Sequence, residues 1–223
     1  MSDSFMSDFY GPAHRELQDA FETRRLADLM EGGVMHAELA PQEAAFIEAR
    51  DMFFLASVDP GGRPTVSYKG GAPGFVRVNG PKTLVFPWFD GNGMYYSAGN
   101  IAQNARVGLL FIDFETPNRL RVQGEATLLR DPAEIARVPG AQFLVSVAIE
   151  SIWVNCPRYI HPHRRVSTSR YVPDAAGAAP LPGWKRLDIA QDAIREEDRA
   201  RVDAAGGVID QDAYATLVSR GEG

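Results

Sequence analysis

The run FFLASVDPGGRPTVSYKGG, Phe53 to Gly71, sets two short segments rich in aromatic and β-branched residues on either side of Pro60-Gly61-Gly62. The first, from Met52 to Asp59, reads as a buried strand. The Pro-Gly-Gly step is a turn signal, and Arg63 to Gly71 is the return strand. A β-hairpin is therefore the expected nucleus of the fold.

Working outward, the same grammar repeats. Gly74 to Val78 and Lys82 to Phe89 flank Asn79-Gly80-Pro81 and predict a second hairpin. Met94 to Asn104 suits a short helix, and Arg106 to Phe114 a buried strand. From Arg119 to Arg130 the sequence alternates: Arg119, Arg121, Gln123 and Glu125 fall on one face, Leu120 and Val122 on the other. Asp131-Pro132 opens a short helix or loop, and Phe143 to Cys156 is again β-rich. Upstream, Ala13 to Met30 predicts one helix with Leu17, Phe21 and Leu29 on its apolar side, stopped by Gly32-Gly33. A second helix starts at Pro41, with Glu43 in its first turn. Pro173 to Gly183 reads as a linker, and Leu187 to Val202 as a polar helix. Six or so strands joined by short turns predict a closed antiparallel barrel with flanking helices. The expected organisation is a helical extension (1–39), a barrel (40–172), and a linker with a helical tail (173–223).

The 223 residues are 45% hydrophobic and 23% charged, enough for one substantial core. Net charge is −6 and no basic stripe is present, which argues against nucleic acid as a partner. No run approaches the roughly 20 apolar residues that span a bilayer. The opening residues lack the basic start and apolar run of a signal peptide, and a single cysteine, Cys156, allows no internal disulfide. A cytoplasmic protein with no membrane partner is expected.

Three constellations carry possible chemistry. Ser67 to Gly74 (SYKGGAPG) sets a hydroxyl, Lys69 and a glycine-rich turn at a strand end. Backbone amides and one cation suit an anion there, while spacing alone favours a surface hairpin with a solvated lysine. It is neither a Walker loop nor a dinucleotide fingerprint. The Arg119, Arg121, Gln123 face meets either solvent or an anionic, hydrogen-bonding partner. In VNCPRYIHPH, Val154 to His163, the His161-Pro162-His163 spacing matches no zinc finger, and no second cysteine exists, so no metal site is expected. The two histidines leave a haem-binding barrel as an alternative. Phe86, Trp88, Phe89, Tyr95 and Tyr96 are either core or the wall of a flat ligand site. No nucleophile elbow, HExxH or clear triad is present, and no catalytic residue is assigned.

Three segments, in order, resemble the pyridoxamine-5′-phosphate oxidase-like FMN-binding family: the Phe53–Gly71 hairpin, GNIAQNARVGLLFID (Gly99 to Asp113), and RLRVQGEATLL (Arg119 to Leu129). GGAPGF, FDGNGM and NCPRYIH look like a branch of that family distinct from the vitamin-forming oxidase. The resemblance implies a mainly β fold with flanking helices, an antiparallel, Greek-key-like FMN-binding split β-barrel. It implies an FMN-dependent oxidoreductase acting on a small molecule with NAD(P)H as reductant, assembled as a homodimer. A non-catalytic flavin carrier, or a deazaflavin-dependent reductase on the same fold, is the alternative. By the resemblance, Thr65, Val66, Ser67, Tyr68 and Lys69 run beside the flavin, and Phe86, Pro87 and Trp88 lie near its ring. Where the family offers Ser-Arg-Lys to the phosphate, this chain has Tyr95-Tyr96-Ser97, leaving Ser97 and Asn100 as hydrogen-bonding candidates. Arg119 falls against the ring, and Asn155 and Arg158 close the site, the partner subunit being one source for them.

Overall fold

The computed structural model describes residues 9–222, in two compact units that divide between Val166 and Ser167. Among these residues no helix is long and apolar enough to cross a membrane.

In the first unit, β1 (Met52–Val58) and β2 (Pro64–Gly70) pair antiparallel over their full length, from Met52↔Gly70 to Val58↔Pro64. The Asp59 carboxylate shapes the turn, accepting from the Gly61 and Arg63 backbone N–H groups, both at 2.9 Å. Gly62 takes the left-handed φ of +78° that the turn needs and that glycine adopts at no steric cost. A second hairpin joins β3 (Arg77–Val78) to β4 (Thr83–Phe89). Then follow α4 (Tyr96–Gln103), β5 (Arg106–Asp113), β6 (Asn118–Leu129), the one-turn α5 (Pro132–Ile135) and β7 (Ala141–Asn155).

The seven strands form one sheet in the order β2-β1-β5-β6-β7-β4-β3, with every neighbouring pair antiparallel. The sheet curls without closing, because β2 and β3 are its free edges. This corrects the expectation of a closed barrel: the fold is a split β-barrel with flanking helices. Alternation supplies the core. Phe53 and Leu55 of β1, Leu109 and Phe111 of β5, and Leu120 and Val122 of β6 turn inward. Phe53 packs against Phe86 and Phe111 with ring centroids 5.0 and 5.1 Å away. Pro87 sits inside β4 beyond the last residue that β3 pairs, so its missing N–H breaks no ladder on that side. At the β6–β7 irregularity, a Cβ on Gly124 would stand 2.1 Å from the Ala148 carbonyl oxygen.

Upstream, the single helix expected over Ala13–Met30 is two: α1 (Pro12–Ala20) and α2 (Arg24–Val34). Glu22 breaks the run with a φ of +55°, and ion pairs from Arg15 to Asp28 and Glu31 tie the two together. α3 (Pro41–Glu48) begins where proline predicts, and Glu43 accepts from the Ala40 N–H at 2.9 Å.

The second unit, residues 167–222, contains two short 3-10 turns (Gly183–Arg186, Asp188–Ala190), then α6 (Glu196–Ala204) and α7 (Gln211–Ser219). Lys185 and Asp198 pair at 2.9 Å, their side chains almost wholly buried, and Arg195 adds a second hydrogen bond to the same carboxylate. Helix α7 falls beyond the polar helix expected from sequence, and the expected Leu187–Val202 helix forms only from Glu196 on.

Candidate functional site

A groove of about 470 Å3 opens between the β2 edge and the end of β4, floored in part by Phe75 and rimmed by the Asp90–Met94 loop and the start of α4. Strand alternation places Thr65, Ser67 and Lys69 on the half-buried side of β2, and all three line the groove. Tyr68, Pro87, Trp88 and Ser97 line it too. The glycine-bearing loop brings Tyr95 and Tyr96 to the rim.

The remaining sequence candidates lie elsewhere. Phe86 is in the core. Val66 is exposed on the opposite face, above a shallow hollow shared with Phe54, Leu110, Arg121 and Trp153. Asn100 is buried, and its Nδ2 donates to Ser57 Oγ at 3.1 Å. Arg119 and Asn155 face one another across the β6–β7 ladder, with Arg119 Nε and Asn155 Oδ1 buried and without a partner. Arg158 is exposed, its backbone N–H directed at Cys156 Sγ. His163 stacks on Phe114 at 5.3 Å.

Lys69 dominates the electrostatics of the groove. Its ammonium stands 3.7 Å from the centre of the Trp88 ring, and Trp88 stacks in turn on Phe143. Burial lowers the Lys69 pKa to about 8, because removing a cation from water disfavours its charged form. Among the described residues it is the only lysine, arginine or histidine lining the groove, which the Asp90 carboxylate also lines.

The start of α4 is fastened to the first hairpin by three polar pairs. Tyr96 donates to Asp59 Oδ2 at 3.0 Å, Ser97 Oγ donates to Ser67 Oγ at 3.2 Å, and Asn100 reaches Ser57. Asp59 also takes the Arg63 guanidinium at 2.8 Å. The Arg63 backbone N–H, then the Tyr96 hydroxyl and the Arg63 side chain, hold this carboxyl below its usual range. The same bond pushes the Tyr96 hydroxyl up, since donating to an anion favours the protonated phenol. Tyr95 enters the helix with a left-handed φ of +47°, its hydroxyl on Gln142, which also holds Asp90.

Sequence reasoning passed over the Asp59 fastening. Its visible trace was an aspartate opening a turn, a common turn residue whose partner on α4 lies 37 positions away.

Fold and groove together define a split-barrel protein with a ligand-sized groove at the open seam of its sheet. The chain belongs to the pyridoxamine 5′-phosphate oxidase family, whose sequence profile matches residues 39–155. Among solved structures, similarity is found to a pyridoxamine 5′-phosphate oxidase candidate from Lactobacillus delbrueckii (25% identity, 53% of this chain and 95% of that one, TM-score 0.43). An FMN-binding protein from Syntrophomonas wolfei is 11% identical over 63% of this chain and 97% of that one (TM-score 0.41). An F420 reductase is 19% identical over 51% and 98% (TM-score 0.41). No curated protein matches the chain.

Proposed function

We propose that the groove holds a flavin, namely FMN, and that the protein is an FMN-dependent oxidoreductase acting on a small molecule with NAD(P)H as reductant. The observation that carries this reading is Lys69. Its ammonium lines a ligand-sized groove beside Trp88 and has no carboxylate within ion-pair distance among the described residues. A half-buried cation without a counter-charge suits the anionic end of a planar ligand. Lys69 would hold that end, and the aromatic wall of Pro87, Trp88 and Tyr95 would hold the ring. A bound flavin supplies hydride and electron transfer, and the protein supplies position and electrostatics.

The reading includes a homodimer. The outward face of the sheet exposes Val66 and Tyr68 beside the half-buried Phe54, Leu110 and Trp153, and a second copy covering it forms a symmetric interface. Arg119 and Asn155 lie on that face with polar atoms left unsatisfied.

The test is direct. Protein purified without added cofactor is denatured, and the released ligand is identified by absorbance and mass. FMN supports the proposal, a deazaflavin replaces the cofactor while keeping the fold reading, and a colourless protein that takes up no FMN refutes it. Anaerobic mixing of the flavin-loaded protein with NADPH or NADH then separates an enzyme, reduced faster than free FMN, from a carrier.

A further inference from the structure

The N-terminal helical pair is built inside out. Polar groups join α1 to α2: Arg15 reaches Asp28 and Glu31, and Arg24 donates to the Asp19 carboxylate and to the Arg15 carbonyl oxygen. The apolar side chains stay outside. Leu17 and Phe21 stand one turn apart on α1, and Leu26, Leu29 and Met30 share the i, i+3, i+4 face of α2. All five are exposed, Leu17 to 61% and Phe21 to 74%, and neither helix buries a residue. An amphipathic helix is held in place by packing its apolar stripe, and this stripe packs on nothing in its own chain.

Two observations indicate what covers it. The first is where the pair hangs. Phe9, just ahead of α1, meets Trp153 edge-on at 5.6 Å, and His36, just after α2, exchanges both backbone hydrogen bonds with Ile152. Both anchors are on β7, and Trp153 belongs to the outward sheet patch where a second copy is proposed to pack. The second is charge. Pro12 to Val34 holds five carboxylates and three arginines, a balance that an anionic lipid surface repels. Among the described residues, Glu16 and Glu22 of the pair make no ion pair, and neither do Arg119 and Arg121 on the outward face of β6.

We propose that residues 12–34 form an arm that each copy of this chain lays against the other. The apolar stripe covers the margin of the partner's outward sheet face, and the acidic groups meet the two arginines of β6. The inference rests on the homodimer reading above and extends it, since the arm adds contacts that the sheet patch alone does not supply. Exchange of two such arms about a two-fold axis closes the interface symmetrically.

The experiment uses the full-length chain. Leu26→Glu combined with Leu29→Glu puts charge on exposed positions that the monomer does not pack, so circular dichroism should match the wild type. Sedimentation equilibrium is expected to show a wild-type dimer, and a dissociation constant raised about tenfold or more in the double variant. Separately, Phe21→p-benzoylphenylalanine is irradiated and run on a denaturing gel, where a covalent dimer is expected. A dissociation constant unchanged in the double variant, or irradiation that yields only single chains, overturns the arm and leaves the homodimer reading standing. A wild-type chain that sediments as a monomer overturns both. Wild-type protein that cosediments with phosphatidylglycerol vesicles, while the double variant does not, assigns the stripe to lipid and overturns the proposal.

Discussion

Lys69 carries its charge into a wall of aromatic carbon, and the cost is visible in its lowered pKa of about 8. The sign of the resulting pH dependence follows from linkage. The folded pKa lies below the ordinary 10.5, so the unfolded chain binds more protons between these values, and native stability rises with pH from about 8 toward 10.5. Urea midpoints measured across that window should climb for the wild type, and Lys69→Met should flatten the climb. Affinity for an anionic ligand runs the other way, full below pH 8 and falling above it as the ammonium is lost. A flat affinity profile from pH 6 to 10 would remove Lys69 from the recognition. This residue was legible in the sequence as a lone cation beside hydroxyls and glycines, because strand alternation and turn glycines are local signals. The commitments of Ser97 and Asn100 were not legible. Each depends on a partner 30 or more positions away, brought near only when α4 lies across the first hairpin.

The strands were easier to read than the helices. β1 and β2 follow from a Pro-Gly-Gly turn between two β-rich runs, and β6 from strict alternation of charged and apolar residues. The break between α1 and α2 has no proline or glycine to announce it. It rests on a left-handed Glu22, a conformation that a tertiary arrangement imposes and composition does not signal. α7 has a proper start, Asp210 accepting from the Ala213 N–H at 2.8 Å, but that cap sits outside the polar run that drew attention. The irregular register between β6 and β7 is a further case. Gly124 lets the two backbones approach where any side chain would strike the Ala148 carbonyl. Gly124→Ala should therefore force β6 and β7 apart and destabilise the barrel by about 1–3 kcal/mol or more. Chemical denaturation checks this, and a loss below about 0.5 kcal/mol would mean that the strands separate there without strain.

On the outward side of the sheet Val66 and Tyr68 are exposed beside Phe54, Leu110 and Trp153, and it is against this patch that a second copy is proposed to pack. Light scattering should then give about twice the 24.4 kDa chain mass. Val66→Asp, which places a charge on an exposed position of that side, should yield monomers that keep the fold. A wild-type monomer would end the dimer proposal. The groove has its own bearing on the barrel's mechanics. It lies where the curled sheet fails to meet itself, with β2 on one bank and, on the other, the end of β4 that β3 does not reach. Any molecule lodged there grips two margins that no backbone ladder joins. By the flavin proposal, such a molecule would be the keystone of an unfinished arch, bracing two margins that the sheet itself leaves apart.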